Sequence, residues 1–132
     1  MDKKIILALD NLDLDSAIKI INQVKDKLLA VKIGLELKNL LEKKEIEQIS
    51  KLGVPIMLDL KLVDVPNTIY RSILALKGIK FEYLTVMALG GNEMIKQAKK
   101  AANELFIPFA VGGGVKSVDD FSKLLHMGAD KV

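Results

Sequence analysis

The chain has 132 residues, half of them hydrophobic and 28% charged, with 20 Lys and Arg against 17 Asp and Glu for a net charge of +3. Those figures fit one ordinary domain with a packed core and argue against disorder. With no Cys and a single His126, disulfides, thiolate catalysis and Cys- or His-rich metal sites are excluded; the mild, dispersed positive charge and the lack of Trp speak against nucleic-acid binding.

The opening "MDKKIILALD" has too short an apolar core for a signal peptide, and no apolar run reaches transmembrane length, so a cytoplasmic protein without membrane contact is expected. Lys4–Asp10 reads as a strand ending in an acid. Ser16–Leu28 has apolar spacing near the helical period, with Asp15 or Ser16 as its N-cap. Leu29–Leu37 is a second strand and its loop, followed by a helix over 37–53 closed by Gly53. Val54–Lys61 is the third strand. Pro66 stops it, and Asn67 caps a helix that runs to Gly78. Phe81–Leu89 is the fourth strand and 92–105 the next helix. Ile107–Gly114 is the fifth strand with a glycine-rich exit. A helix capped by Ser117 follows, and "DKV" begins a sixth strand.

Five β-α units with strands apolar on both faces predict a parallel sheet covered by helices, either doubly wound or part of a barrel. Polar residues at the C-terminal ends of strands (Asp10, Lys32, Asp59, Lys61) favour a barrel whose reactive rim is at that end. A full barrel needs roughly 200 residues or more. The expectation is therefore a single α/β domain over residues 1–132, a partial or truncated (β/α)8 TIM-type barrel that stops in mid-strand at Val132.

Residues two apart in a strand share a face. Met57, Asp59 and Lys61 then face the barrel mouth, and Ile56, Leu58 and Leu60 face the helices. Asp64 follows in the loop. If neighbouring strands align, Asp10, Lys32, Asp59 and Lys61 meet on one rim, where acids and lysines keep each other charged. A lysine held between carboxylates is a pre-positioned cation and proton donor, and a carboxylate near a substrate anion destabilises that anion. Charges are also common where strands simply emerge into water.

The runs "ILALD", "VKIG", "LDLKLVDVPNTI" and "TVMALGG" occur in that order. Together, over about residues 4–105, they resemble orotidine 5′-phosphate decarboxylase. Met87 and Val63 stand where members of that family often carry His. The resemblance implies a (β/α)8 homodimer without metal or organic cofactor, converting orotidine monophosphate to uridine monophosphate in pyrimidine synthesis. It implies that Lys61 protonates the ring carbon, that Asp59 lies against the departing carboxylate, and that Lys32 completes the array. Asp64 would reach into the neighbouring subunit's site, with Thr68 near that interface, and Asp10 would contact the ribose. A related magnesium-dependent group, the hexulose-phosphate synthases and keto-gulonate-phosphate decarboxylases, usually has an acid where Lys32 stands and a Thr where Leu62 stands.

Residues 107–132 resemble instead a βα unit of the cyclase subunit of imidazole glycerol phosphate synthase. That resemblance implies that Gly112, Gly113 and Gly114 help hold a substrate phosphate, since glycines let backbone N–H groups and a helix N-terminus approach an anion. A tight turn needs no more than the same glycines. The chain thus reads as a decarboxylase-like half barrel (1–105) joined to a cyclase-like unit (106–132): a natural truncation, a recombined gene or a chimera. The decarboxylase's later strands and its phosphate-gripping Gly-Arg pair are unmatched, the one arginine being Arg71. Impaired decarboxylation is expected. The rival expectation is a catalytically silent partial barrel that self-associates through open sheet edges and binds a nucleotide or sugar phosphate without turning it over.

Overall fold

A computed structural model describes residues 3–132; Met1 and Asp2, the start of the stretch weighed as a signal peptide, lie outside the described residues. Strands β1 (Ile5–Ala8), β2 (Leu28–Gly34), β3 (Ile56–Leu62), β4 (Tyr83–Met87) and β5 (Phe109–Gly112) form one sheet in the order β1-β2-β3-β4-β5. Helices α1 (Leu14–Val24), α2 (Leu35–Leu40), α3 (Lys43–Ser50), α4 (Pro66–Leu74), α5 (Asn92–Leu105) and α6 (Val118–His126) alternate with them. This is the parallel five-unit α/β pattern of part of a (β/α)8 fold. Among the described residues no helix is long and apolar enough to cross a membrane.

The chain divides into two compact units. The first holds the residues up to Asp59 with Gly78–Glu82, and the second holds Leu60–Lys77 with Tyr83–Val132.

In the first unit β2 pairs in parallel with β1 and with β3, Ala8 standing beside Lys32 and Gly34 beside Asp59. Alternation sorts the faces. Val31, Ile33, Ile56 and Leu58 are at most 1% exposed and form one apolar layer. Each such side chain contributes about 1.5–3 kcal/mol relative to an exposed one. Lys32 and Gly34 fall on the opposite face of β2. Helices α1 and α3 add Ala17, Ile21, Ile46 and Ile49 to the buried set.

In the second unit β4 pairs in parallel with β5, with Thr85 beside Ala110 and Met87 beside Gly112. Helix α4 packs on α5, whose Ala98, Ala101 and Ala102 are buried and small enough to permit close approach. Lys131 forms an isolated parallel bridge to Ala110, at the place where "DKV" is expected to begin a sixth strand.

Several boundaries differ from expectation. Helix α1 begins earlier, because Asp13, not Asp15 or Ser16, accepts the Ser16 N–H at 2.8 Å. The helix expected over 37–53 is two helices. Leu41 and Glu42 are extended, and the Glu45 carboxylate takes the Glu42 N–H at 2.7 Å, which starts α3 afresh. Asn67 lies inside α4. Val65 is the N-cap and Pro66 the first helical residue, where its missing N–H costs nothing. Alternation along β3 also fails at its end, since Lys61 has φ +47° and leaves the extended conformation that the face rule assumes.

Candidate active site

Three of the expected charges meet in the first unit. Lys32 Nζ lies 3.3 Å from Asp10 Oδ2 and 3.5 Å from Asp59 Oδ2. Strand register produces this. Lys32 stands two residues before the Gly34 that pairs with Asp59, on the same face of the sheet. Asp10 follows β1 directly; the N–H of Leu9 still donates to the Lys32 carbonyl at 3.0 Å, which carries the ladder up to it. The environment is graded. The Asp59 side chain is 11% exposed, Lys32 24% and Asp10 50%. A cation thus sits between a buried carboxylate and one open to solvent. Partial desolvation strengthens their attraction and makes the loss of either partner costly.

Lys61 and Asp64 belong to the second unit. Lys61 comes two residues after Asp59 on β3, and its backbone N–H donates to Thr85 Oγ1 at 2.9 Å. Asp64 is exposed, and its Oδ1 accepts the Val65 N–H at 2.7 Å, an arrangement that fixes the turn into α4. Thr68 is exposed in the first turn of α4, its N–H given to the Val65 carbonyl at 3.0 Å.

Gly112 ends β5, while Gly113 (φ +74°) and Gly114 (φ +89°) make the turn that leaves it. A Cβ on Gly113 would also displace the Met87 thioether, the free end of a flexible side chain, so the positive φ is the stronger reason for glycine there. The start of α6 beyond this turn already has its own acceptors. Ser117 Oγ takes the Asp120 N–H, and Asp120 Oδ2 takes the Lys116 N–H, each at 3.1 Å.

Two residues escaped the sequence reading. A Cβ on Gly34 would lie 2.9 Å from Asp10 Oδ1, so this glycine makes the room that Asp10 occupies. Its place two residues after Lys32, on the same face, was the available signal. Thr85 had none, because its partner Lys61 is 24 residues away.

Known proteins resemble this chain in sequence and in fold. The sequence model of the Orotidine 5'-phosphate decarboxylase / HUMPS family matches residues 3–123, and so runs past the junction expected near residue 106. Orotidine 5'-phosphate decarboxylase of Fusobacterium nucleatum is 41% identical over 104 residues, 79% of this chain and 44% of that protein. The enzyme of the same name from Wolbachia pipientis is 44% identical over 94 residues, 71% of this chain and 42% of that protein. The chain spans less than half the length of these curated relatives. The crystal structure of Orotidine 5'-phosphate decarboxylase from Lactobacillus acidophilus superposes with a TM-score of 0.81 at 28% identity, covering 98% of this chain and 70% of that one.

Proposed function

The chain belongs to the Orotidine 5'-phosphate decarboxylase / HUMPS family, and from that premise we propose that it carries the charged half of a carboxy-lyase site acting on orotidine 5′-phosphate. The observation that carries the reading is Lys32 held between Asp10 and Asp59 at the C-terminal ends of β1 to β3. Lys32 itself favours decarboxylase over synthase chemistry, since the magnesium-dependent group usually carries an acid there. In the proposed step the bond between the ring carbon and its carboxylate breaks, carbon dioxide leaves, and the electron pair stays on the ring carbon. Asp59 lies against the departing carboxylate and destabilises it. The Lys61 ammonium stabilises the developing carbanion and gives it a proton. Lys32 stays 3.5 Å from Asp59 and completes the charged array. Asp10 takes the ribose, and Gly112–Gly114 receive the phosphate through backbone N–H groups, the role that a cyclase-like unit over 106–132 would bring. Asp64 and Thr68 serve the site of a second subunit in a homodimer. The reaction is a cytoplasmic step of pyrimidine synthesis and needs no metal or organic cofactor.

The test is the loss of orotidine monophosphate absorbance with purified protein beside Lys61→Ala and Asp59→Asn. Turnover that both variants abolish supports the proposal. No turnover at high enzyme concentration removes the activity from this chain.

A second reading rests on β1. It is an outer strand of the sheet, with Ile5 58% and Ile6 41% exposed. An apolar outer strand invites pairing with another chain. The protein is then a self-associating module that binds a nucleotide or sugar phosphate without turnover. Titration with uridine monophosphate separates the two, since binding without decarboxylation of orotidine monophosphate favours the module.

A further inference from the structure

Three residues other than glycine have positive φ: Asn11 (57°), Lys61 (47°) and Phe106 (55°) among the described residues. Two have ordinary reasons. Asn tolerates the left-handed region better than most residues, and Phe106 is the C-cap of α5, where that conformation is common. Lys61 has neither. It lies within β3, where an extended backbone is the rule, and its side chain is neither small nor able to bond its own turn. Left-handed backbone at such a residue persists only where the surroundings enforce it.

One contact at this residue is visible. The N–H of Lys61 lies in the peptide plane from which its φ rotation starts, and that donor needs an acceptor of its own. For Lys61 the acceptor is a side chain, Thr85 Oγ1 on β4, at 2.9 Å. Thr85 suits the task. It is β-branched, so its hydroxyl has few rotamers, and it sits in the interior of β4, held by pairing with Ala110 of β5. The hydroxyl is thus anchored on a regular strand and reaches across to an irregular one.

We propose that Thr85 is the positioning residue of Lys61: by accepting its backbone N–H, Thr85 fixes the peptide plane from which the left-handed lysine turns, and with it the base of its side chain. The proposal rests on the reading of Lys61 as proton donor for its catalytic consequence, though not for its structural content. Thr85 does not touch the reacting atoms in this account. It acts through the backbone, and a lysine whose stem starts from a fixed direction delivers its ammonium with less reorganisation.

Two variants and two readouts test it. Thr85→Val keeps the shape and removes the acceptor, whereas Thr85→Ser keeps the acceptor and removes a methyl group. The first readout, hydrogen exchange at the Lys61 amide by NMR, needs no turnover. Exchange should accelerate at least about tenfold in Thr85→Val and stay within about threefold of the parent in Thr85→Ser. The second is orotidine monophosphate turnover. There kcat should fall roughly 10- to 100-fold in Thr85→Val with KM nearly unchanged, and return most of the way in Thr85→Ser. Unchanged Lys61 exchange in Thr85→Val overturns the proposal, as does a Thr85→Ser protein whose exchange is as fast as that of Thr85→Val. A parent chain without turnover removes the decarboxylase reading and leaves the exchange comparison to decide the positioning role.

Discussion

Lys32 and Asp59 are joined across adjacent strands, Nζ to Oδ2 at 3.5 Å, and Asp59 is the single buried charged residue among those described, 8% exposed. A buried acid of this kind depends on its cation. Lys32→Met should destabilise the fold by about 1–3 kcal/mol, because it removes a cation 3.5 Å from a buried carboxylate that stays in place. Asp10→Asn, at the open end of the same chain of charges, should cost less than about 1 kcal/mol. Urea unfolding of the two variants checks the order; equal costs would mean that burial does not grade the pair.

Gly34→Ala separates site from scaffold. Its φ of −80° suits any residue, and the atom that its Cβ would crowd, Asp10 Oδ1, is the free end of a side chain. Stability should change by less than about 1 kcal/mol although Gly34 is buried, because the crowded carboxylate can give way. The Asp10 carboxylate must move, however. If Asp10 holds the ribose, KM for orotidine monophosphate should rise, and nucleotide binding by calorimetry should weaken in step.

The glycine turn after β5 should prove uneven. Gly113→Ala meets both a left-handed backbone and the Met87 side chain, and should lose about 1–3 kcal/mol. Nothing lies within 4 Å of a Cβ at Gly112, so Gly112→Ala should be nearly silent in a thermal melt. A tolerant Gly113 would show that the turn can re-form around Met87.

Two helix starts contribute less stability in acid. The Ser16 backbone N–H holds the Asp13 carboxyl below its ordinary value, and the Lys116 backbone N–H does the same for Asp120. A depressed folded-state pKa adds stability that is fully present above the unfolded carboxylate value near 3.8 and is lost as pH falls through the lower folded value. Asp13→Asn keeps a good capping side chain but cannot titrate. Its stability should therefore fall less steeply than the parent's below about pH 4 in urea melts taken across pH. On the alkaline side the Glu104 carboxylate, accepting the Tyr70 hydroxyl at 2.7 Å, raises the Tyr70 pKa, so that contribution is present below pH 10 and fades above it.

Much of this arrangement was legible because it rests on local rules. Helix α5 matches its expected limits and α6 starts at the expected Ser117 cap, since glycine turns and a strong apolar period mark both. Asp10, Lys32 and Asp59 could be brought together from the sequence because each lies towards or just past the C-terminal end of one of three consecutive parallel strands. The break at Leu41 and Glu42 was not legible, because apolar spacing continues across it and only a side chain returning to the backbone decides it. Asn67 looked like a cap because Asn usually is one, but Pro66 at the first helical position moved the start upstream. The left-handed Lys61 left no mark in the sequence at all; the hydroxyl that takes its N–H lies on another strand.

Lys61 also warns anyone redesigning this chain. A left-handed backbone at a residue other than glycine costs roughly 1–2 kcal/mol, so Lys61→Gly should raise stability by up to about that amount in urea melts. A search guided by melting temperature alone would choose glycine there and discard the ammonium on which the proposed reaction depends. The position shows where robustness and chemistry compete for one residue, and an engineer can use it to tell which of the two a given selection rewards.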